Sequence, residues 1–159
     1  MPITYEPIAT TTLGSAQTDV EFTSISQSYT DLIIVISGSA NPAQNINMRV
    51  GNGSVDTGTN YSATYLAGNG SSASSGRFST QSNALVGAIY SDRGNCIVQL
   101  QNYSNTTTYK TFLSRQNSAG NQTGAYVALW RSTAAINTIR FINSFDANTS
   151  LTLYGIKSA

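Results

Sequence analysis

Histidine is absent from this chain of 159 residues, and cysteine occurs once. The first absence removes the commonest general base and metal ligand. Ser-His-Asp and Cys-His schemes therefore cannot be assembled within the chain. The single Cys96 permits no internal disulfide and no cysteine-cluster metal site. Its setting, "NCIVQLQN", reads as a small apolar core position. Charge is scarce as well: 9% of residues are Asp, Glu, Lys or Arg, against about 25% in ordinary globular chains. The carboxylates Glu6, Asp19, Glu21, Asp31, Asp56, Asp92 and Asp146 are scattered among turns and strand edges, with no pair suited to acid–base work. These gaps point away from an enzyme, and no cofactor or metal is expected. The net charge of +1 carries no nucleic-acid footprint. No apolar run reaches the roughly 18 residues of a membrane span. "MPITYEPIATTTL" lacks the basic start and apolar centre of an export signal, so assembly in a cytoplasm is expected.

Ser, Thr, Asn, Gln and Gly carry the surface instead. A single domain of this length buries roughly 70% of the surface its unfolded chain exposes. Sparse charge weakens the repulsion that keeps proteins apart, which favours a homo-oligomer. Period-two alternation predicts strands over residues 3–11, 19–24, 31–37, 45–51, 60–67, 76–81, 84–90, 95–101, 108–115, 124–131, 137–142 and 150–156. "DLIIVIS" is almost continuously apolar and predicts a central strand covered on both faces. "AYVALWR" is apolar on both of its faces, with Tyr126, Ala128 and Trp130 on one and Ala125, Val127 and Leu129 on the other. "GNGSVDTGTN", "AGNGSSASSG" and "NSAGNQTG" read as turns; Asp56 and Asn60 in the first offer too few carboxylates for calcium. Only "STAAIN" suggests a helical turn, capped by Ser132 or Thr133. Many short strands with no helical periodicity predict an all-β fold: one antiparallel β-sandwich of the jelly-roll type over residues 1–159, with residues 1–12 as an N-terminal arm or edge strand.

Both ends of the chain carry more apolar surface than one sandwich needs. Pro2 and Pro7 cannot donate ladder hydrogen bonds, so this segment belongs at an edge. Ile3, Tyr5 and Ile8 are then candidate anchors for a neighbouring subunit. In "SLTLYGIKSA", Leu151, Leu153 and Gly155 share one face and Thr152, Tyr154 and Ile156 the other. Tyr154 and Ile156 predict a second cover for that outer face, and Gly155 a place where that second layer comes close. Nine tyrosines against five phenylalanines fit either an interface or a core capped by wetted hydroxyls.

Several stretches together, "TYEPIATTTLGSA", "TSISQSYTDLIIVISG", "NYSNTTTYKTFLSR", "VALWRSTAAINTIRF" and "LTLYGIKSA", resemble a family of small structural proteins of tailed bacteriophages, cyanophages included. The likeness spans essentially the whole chain, and its motifs are turn-and-strand signatures. It implies a virion protein similar to jelly-roll cement or decoration proteins, which sit as trimers on the capsid exterior. The implied partners are other copies of this chain and the major capsid protein. The implied role is to stabilise contacts between capsomers by binding alone. A tail or fibre module that contacts host glycans is the alternative.

Overall fold

The computed structural model describes residues 4–157 as two antiparallel sheets packed face to face, a β-sandwich without helix among those residues. The strands are β1 (Tyr5–Thr12), β2 (Val20–Phe22), β3 (Asp31–Gly38), β4 (Gln44–Asn52), β5 (Ser54–Val55), β6 (Tyr61–Gly68), β7 (Ala73–Gln81), β8 (Ala84–Ile89), β9 (Gly94–Leu100), β10 (Lys110–Ser118), β11 (Gln122–Trp130), β12 (Thr138–Phe141) and β13 (Ser150–Ile156). The first sheet has eight strands in the order β1-β13-β3-β9-β10-β11-β6-β7. The second runs β2-β12-β4-β5, with β8 also paired to β4. Successive strands β1 to β4 alternate between the sheets, as do β12 and β13. The β6–β7 and β10–β11 hairpins widen the first sheet beyond β9.

The core lies where the inward positions of both sheets meet. Leu32, Ile34 and Ile36 of β3, Leu151 and Leu153 of β13, and Phe112 of β10 face Ile46, Met48 and Val50 of β4 and Ile139 and Phe141 of β12. Period-two alternation puts every second residue of each strand into this layer. Polar contacts also tie the sheets together. The Tyr61 hydroxyl on β6 accepts the Val50 N–H of β4 at 3.1 Å. Between Ile46 and Asn47 the β4–β8 register slips, which leaves Val86 as an extra residue. The carbonyl of Val86 then accepts the Ser114 hydroxyl at 2.5 Å and the Cys96 thiol at 3.5 Å.

Three expectations are revised. "STAAIN" forms an irregular connection in which Ser132 Oγ accepts the Ala134 N–H, not a helical turn. The β3 strand is central, but only its inner face is sealed: outward Ile33 is buried while Val35 is half-buried. Gly155 points inward, where a Cβ would fall 2.3 Å from the Tyr29 ring. Its lack of a side chain admits a ring of its own chain, not a second layer from outside. The N-terminal segment is an edge strand of the domain's own sheet, paired along β13 from Tyr5↔Ile156 to Thr12↔Ser150 with a bulge between Pro7 and Ala9.

Candidate functional site

The two outer faces of the sandwich differ in chemistry. On the second sheet the outward positions Glu21, Arg140 and Arg49 stand in one cross-strand row. Arg140 holds both oxygens of Glu21, with Nη2 3.1 Å from each, and the Arg49 Nε donates to the Ser82 carbonyl at 2.9 Å. That face is polar: Arg140 and Glu21 form an ion pair, and Arg49 is held by a backbone carbonyl.

The first sheet presents the opposite. Its register sets Tyr154, Ile33, Gln99, Leu113, Val127, Thr64 and Arg77 side by side across β13, β3, β9, β10, β11, β6 and β7. The next row is Thr152, Val35, Ile97, Arg115, Ala125, Leu66 and Ser75. Directly paired residues share a face, so an apolar strip crosses the sheet between rims of Thr, Ser and Asn. Leu66 is 63% exposed and Val127 49%, both large apolar side chains left in water. A shallow groove of about 600 Å³ runs between Leu66, Ile97, Arg115 and Ala125. Monomeric proteins rarely leave contiguous apolar surface of this kind open without a use for it.

Charge on this face is also distinctive. The chain has eight Lys and Arg residues. Six are engaged: Arg49 and Arg140 as above, Arg93 on the Asn148 carbonyl, Arg131 on those of Thr59 and Tyr61, Lys110 on those of Thr108 and Thr133, and Lys157 on Glu6. The remaining two are Arg77 and Arg115, both exposed and both on the apolar face. Neither has a hydrogen bond, ion pair or ring contact among the described residues.

Most of the acids serve structure. Asp56 accepts the Gly58 N–H at 2.7 Å, the Asn60 amide at 2.8 Å and the Trp130 indole N–H at 2.8 Å. Burial pushes its pKa up, but these donors outweigh burial and hold the carboxyl below its usual range. Asp92 gathers the Ser118 hydroxyl, the Gly120 N–H and the Asn121 amide at the β10–β11 turn, and the Ser118 bond foremost lowers its pKa. Asp146 holds Ser39 and Asn41, and Asp31 the Asn102 N–H. No group of three His, Cys, Asp or Glu side chains able to hold a metal stands together among the described residues. Cys96 is buried, and burial pushes its thiol up to about 12, which leaves no thiolate at neutral pH.

Of the interface residues expected from sequence, Tyr154 and Ile156 lie half-buried on the apolar face, and Tyr5, 54% exposed, stands beside Ile156 at its edge. Ile8 does not join them: at the β1 bulge it is half-buried and packs against the sandwich core. Ile3 lies outside the described residues. Sequence reasoning missed Leu66, Ile97, Leu113 and Val127. The one available signal was the two-faced apolarity of "AYVALWR". The tyrosines divide: Tyr61 and Tyr103 are fully buried, with hydroxyls bonded to backbone groups of Val50 and Ser26, while Tyr109 is 56% exposed. No protein-family model matches the chain, and no curated protein matches it at a significant level.

Proposed function

We propose that this chain is a structural protein of a bacteriophage virion, a cement or decoration protein that self-associates and binds the outside of the head. It acts by adding contacts that separation of shell subunits must break, with no chemical step. The observation that carries this reading is the contrast of faces: one outer face is apolar and open, while the other is polar with its charged side chains engaged. The stretches that resemble small phage structural proteins add to it. So does the strand order, since β1-β13-β3-β9 packed over β2-β12-β4-β8 supports a jelly-roll reading of the sandwich. Six of the seven carboxylates are held in turns or ion pairs, which suits binding better than catalysis.

Copy number on purified particles tests the reading. A shell protein is present in proportion to the shell subunits, and particles lacking it lose their DNA at lower temperature. A copy number matching the tail would favour the second reading, a glycan-binding tail module, for which the exposed rings of Tyr109 and Phe78 speak. Absence from particles would overturn both.

A further inference from the structure

We propose that the open face of the eight-stranded sheet docks on an acidic, apolar surface of a different protein, with Arg77 and Arg115 as its charged clamps. The reading of the chain as a shell-binding protein supplies the expected partner, a shell subunit, and the choice of occupant rests on that reading.

Size comes first. Strands about 4.8 Å apart and residues about 3.4 Å apart make the two central rows and their rims roughly 35 Å by 20 Å. That is about 700 Å², close to the roughly 800 Å² that each partner gives to a stable complex. The chemistry of the face then selects the occupant. Leu113 and Val127 form the middle of the strip, with Leu66 and Ile97 in the adjoining row. Arg77 ends the row of Leu113 and Val127, and Arg115 stands beside Ile97. Three strand spacings and one two-residue step separate the two guanidinium-bearing positions, roughly 16 Å. Among the described residues both lack a partner, while each of the other six Lys and Arg side chains has one.

Arginine in an apolar, desolvated surround is a typical energetic anchor of interfaces, and its fork matches a carboxylate. The face itself offers no such partner. The acids at its margins are already engaged: Asp31 accepts the Asn102 N–H at 2.7 Å, and Asp92 at the β10–β11 turn is held by Ser118, Gly120 and Asn121. A second copy of the same face would therefore bring guanidiniums without free carboxylates to meet them, which electrostatic complementarity disfavours. The occupant carries an apolar ridge with two carboxylates about as far apart as the two arginines.

The test places a photo-cross-linking amino acid at Val127, and separately at Glu21 on the paired face, in the full chain produced in the cells that natively make it. The expected adduct at position 127 joins a different protein at a segment bearing Asp or Glu. The Arg77→Glu, Arg115→Glu double variant cuts its yield about tenfold or more, while its circular dichroism and melting match the parent. Position 21 gives no such adduct. A shell subunit as the captured chain supports both the docking face and the shell reading. An acidic segment of a non-shell protein supports the face and overturns the reading. Adducts only with a second copy, no protein adduct at all, or a yield indifferent to the charge reversals overturns the face.

Discussion

The phenol of Tyr61, on one sheet, fills a gap in the hydrogen-bonding edge of Val50, on the other. On that side of β4, pairing with β8 ends at Met48 and pairing with β5 begins at Gly51. Val50 N–H donates to the Tyr61 oxygen at 3.1 Å, and the hydroxyl has the Val50 and Asp56 carbonyls as acceptors, each at 3.1 Å. A buried backbone donor without a partner is costly, so one side chain from the facing layer completes the ladder. Tyr61→Phe keeps the ring and leaves this N–H unsatisfied. It should lower stability by about 1–3 kcal/mol without altering the fold, as read by chemical denaturation with an unchanged dependence on denaturant.

Leu153 and Ile156 test the two faces of one strand. Leu153 is fully buried, and Leu153→Ala should cost about 2–5 kcal/mol by denaturant melting. Ile156 is half-buried on the outer face, and its cross-strand partner is Asp31. An acidic replacement there would set two carboxylates opposite each other and confuse repulsion with lost contact. Ile156→Thr is the cleaner change: it should leave the melting temperature nearly unchanged and weaken particle binding in a cosedimentation assay.

Gln116 is a site where the native residue is poorly suited to stability. Its amide is buried, and both its nitrogen and oxygen lack hydrogen-bond partners. The neighbouring Tyr126 hydroxyl lies close enough for the amide to act on it as a weak hydrogen-bonding neighbour, lowering its pKa against the larger effect of burial, but the geometry is too poor to satisfy either amide atom. An unsatisfied buried amide costs about 1–3 kcal/mol. Gln116→Leu should therefore be neutral or stabilising in thermal melts, unlike most core changes. A clear loss of stability would mean that the amide has a partner in solution.

The pH profile follows from the groups that titrate. With no His in the chain, no side chain at its ordinary value titrates between pH 5 and 8, and stability should be flat there. Asp56 and Asp92 have folded-state values below the ordinary 3.8. Their contribution is present above that value and is lost as pH falls through the lower folded one. Tyr61, Tyr126 and Cys96 are raised to about 12, burial being the largest cause in each. A raised value means stability intact below the unfolded pKa and lost as pH climbs towards the folded one. Melting followed from pH 2 to 12 should show a broad plateau with acid and alkaline shoulders; a transition inside the plateau would contradict this assignment.

Twelve of the thirteen strands were legible because alternation between core and water leaves a period-two trace. The exception, β5, is the pair Ser54–Val55 within "GNGSVDTGTN", too short for any period and reversed at Gly53, whose φ is +83°. The sandwich followed from counting strands. The apolar face did not. Tyr154 and Ile156 betrayed one end of it, because that strand is apolar on both sides. Leu66, Leu113 and Val127 lie on three strands whose adjacency depends on register, and no local pattern records register across a sheet. Arg77 and Arg115 are unremarkable in sequence; what sets them apart is that the other six cations found partners, which is a property of the folded molecule.

The pairing of β1 with β13 gives the protein a mechanical direction. Tyr5 faces Ile156, so the outer ends of the first and last strands leave the sheet at the same place, side by side. Tension applied between those two points opens the β1–β13 ladder one rung at a time, as a zipper does, starting at the outer end where the Lys157 N–H meets the Thr4 carbonyl and Lys157 meets Glu6. Tension applied along β3 meets strands bonded on both flanks and must shear many rungs at once. The same fold is thus soft when pulled by its ends and stiff when loaded through the middle of its wide sheet.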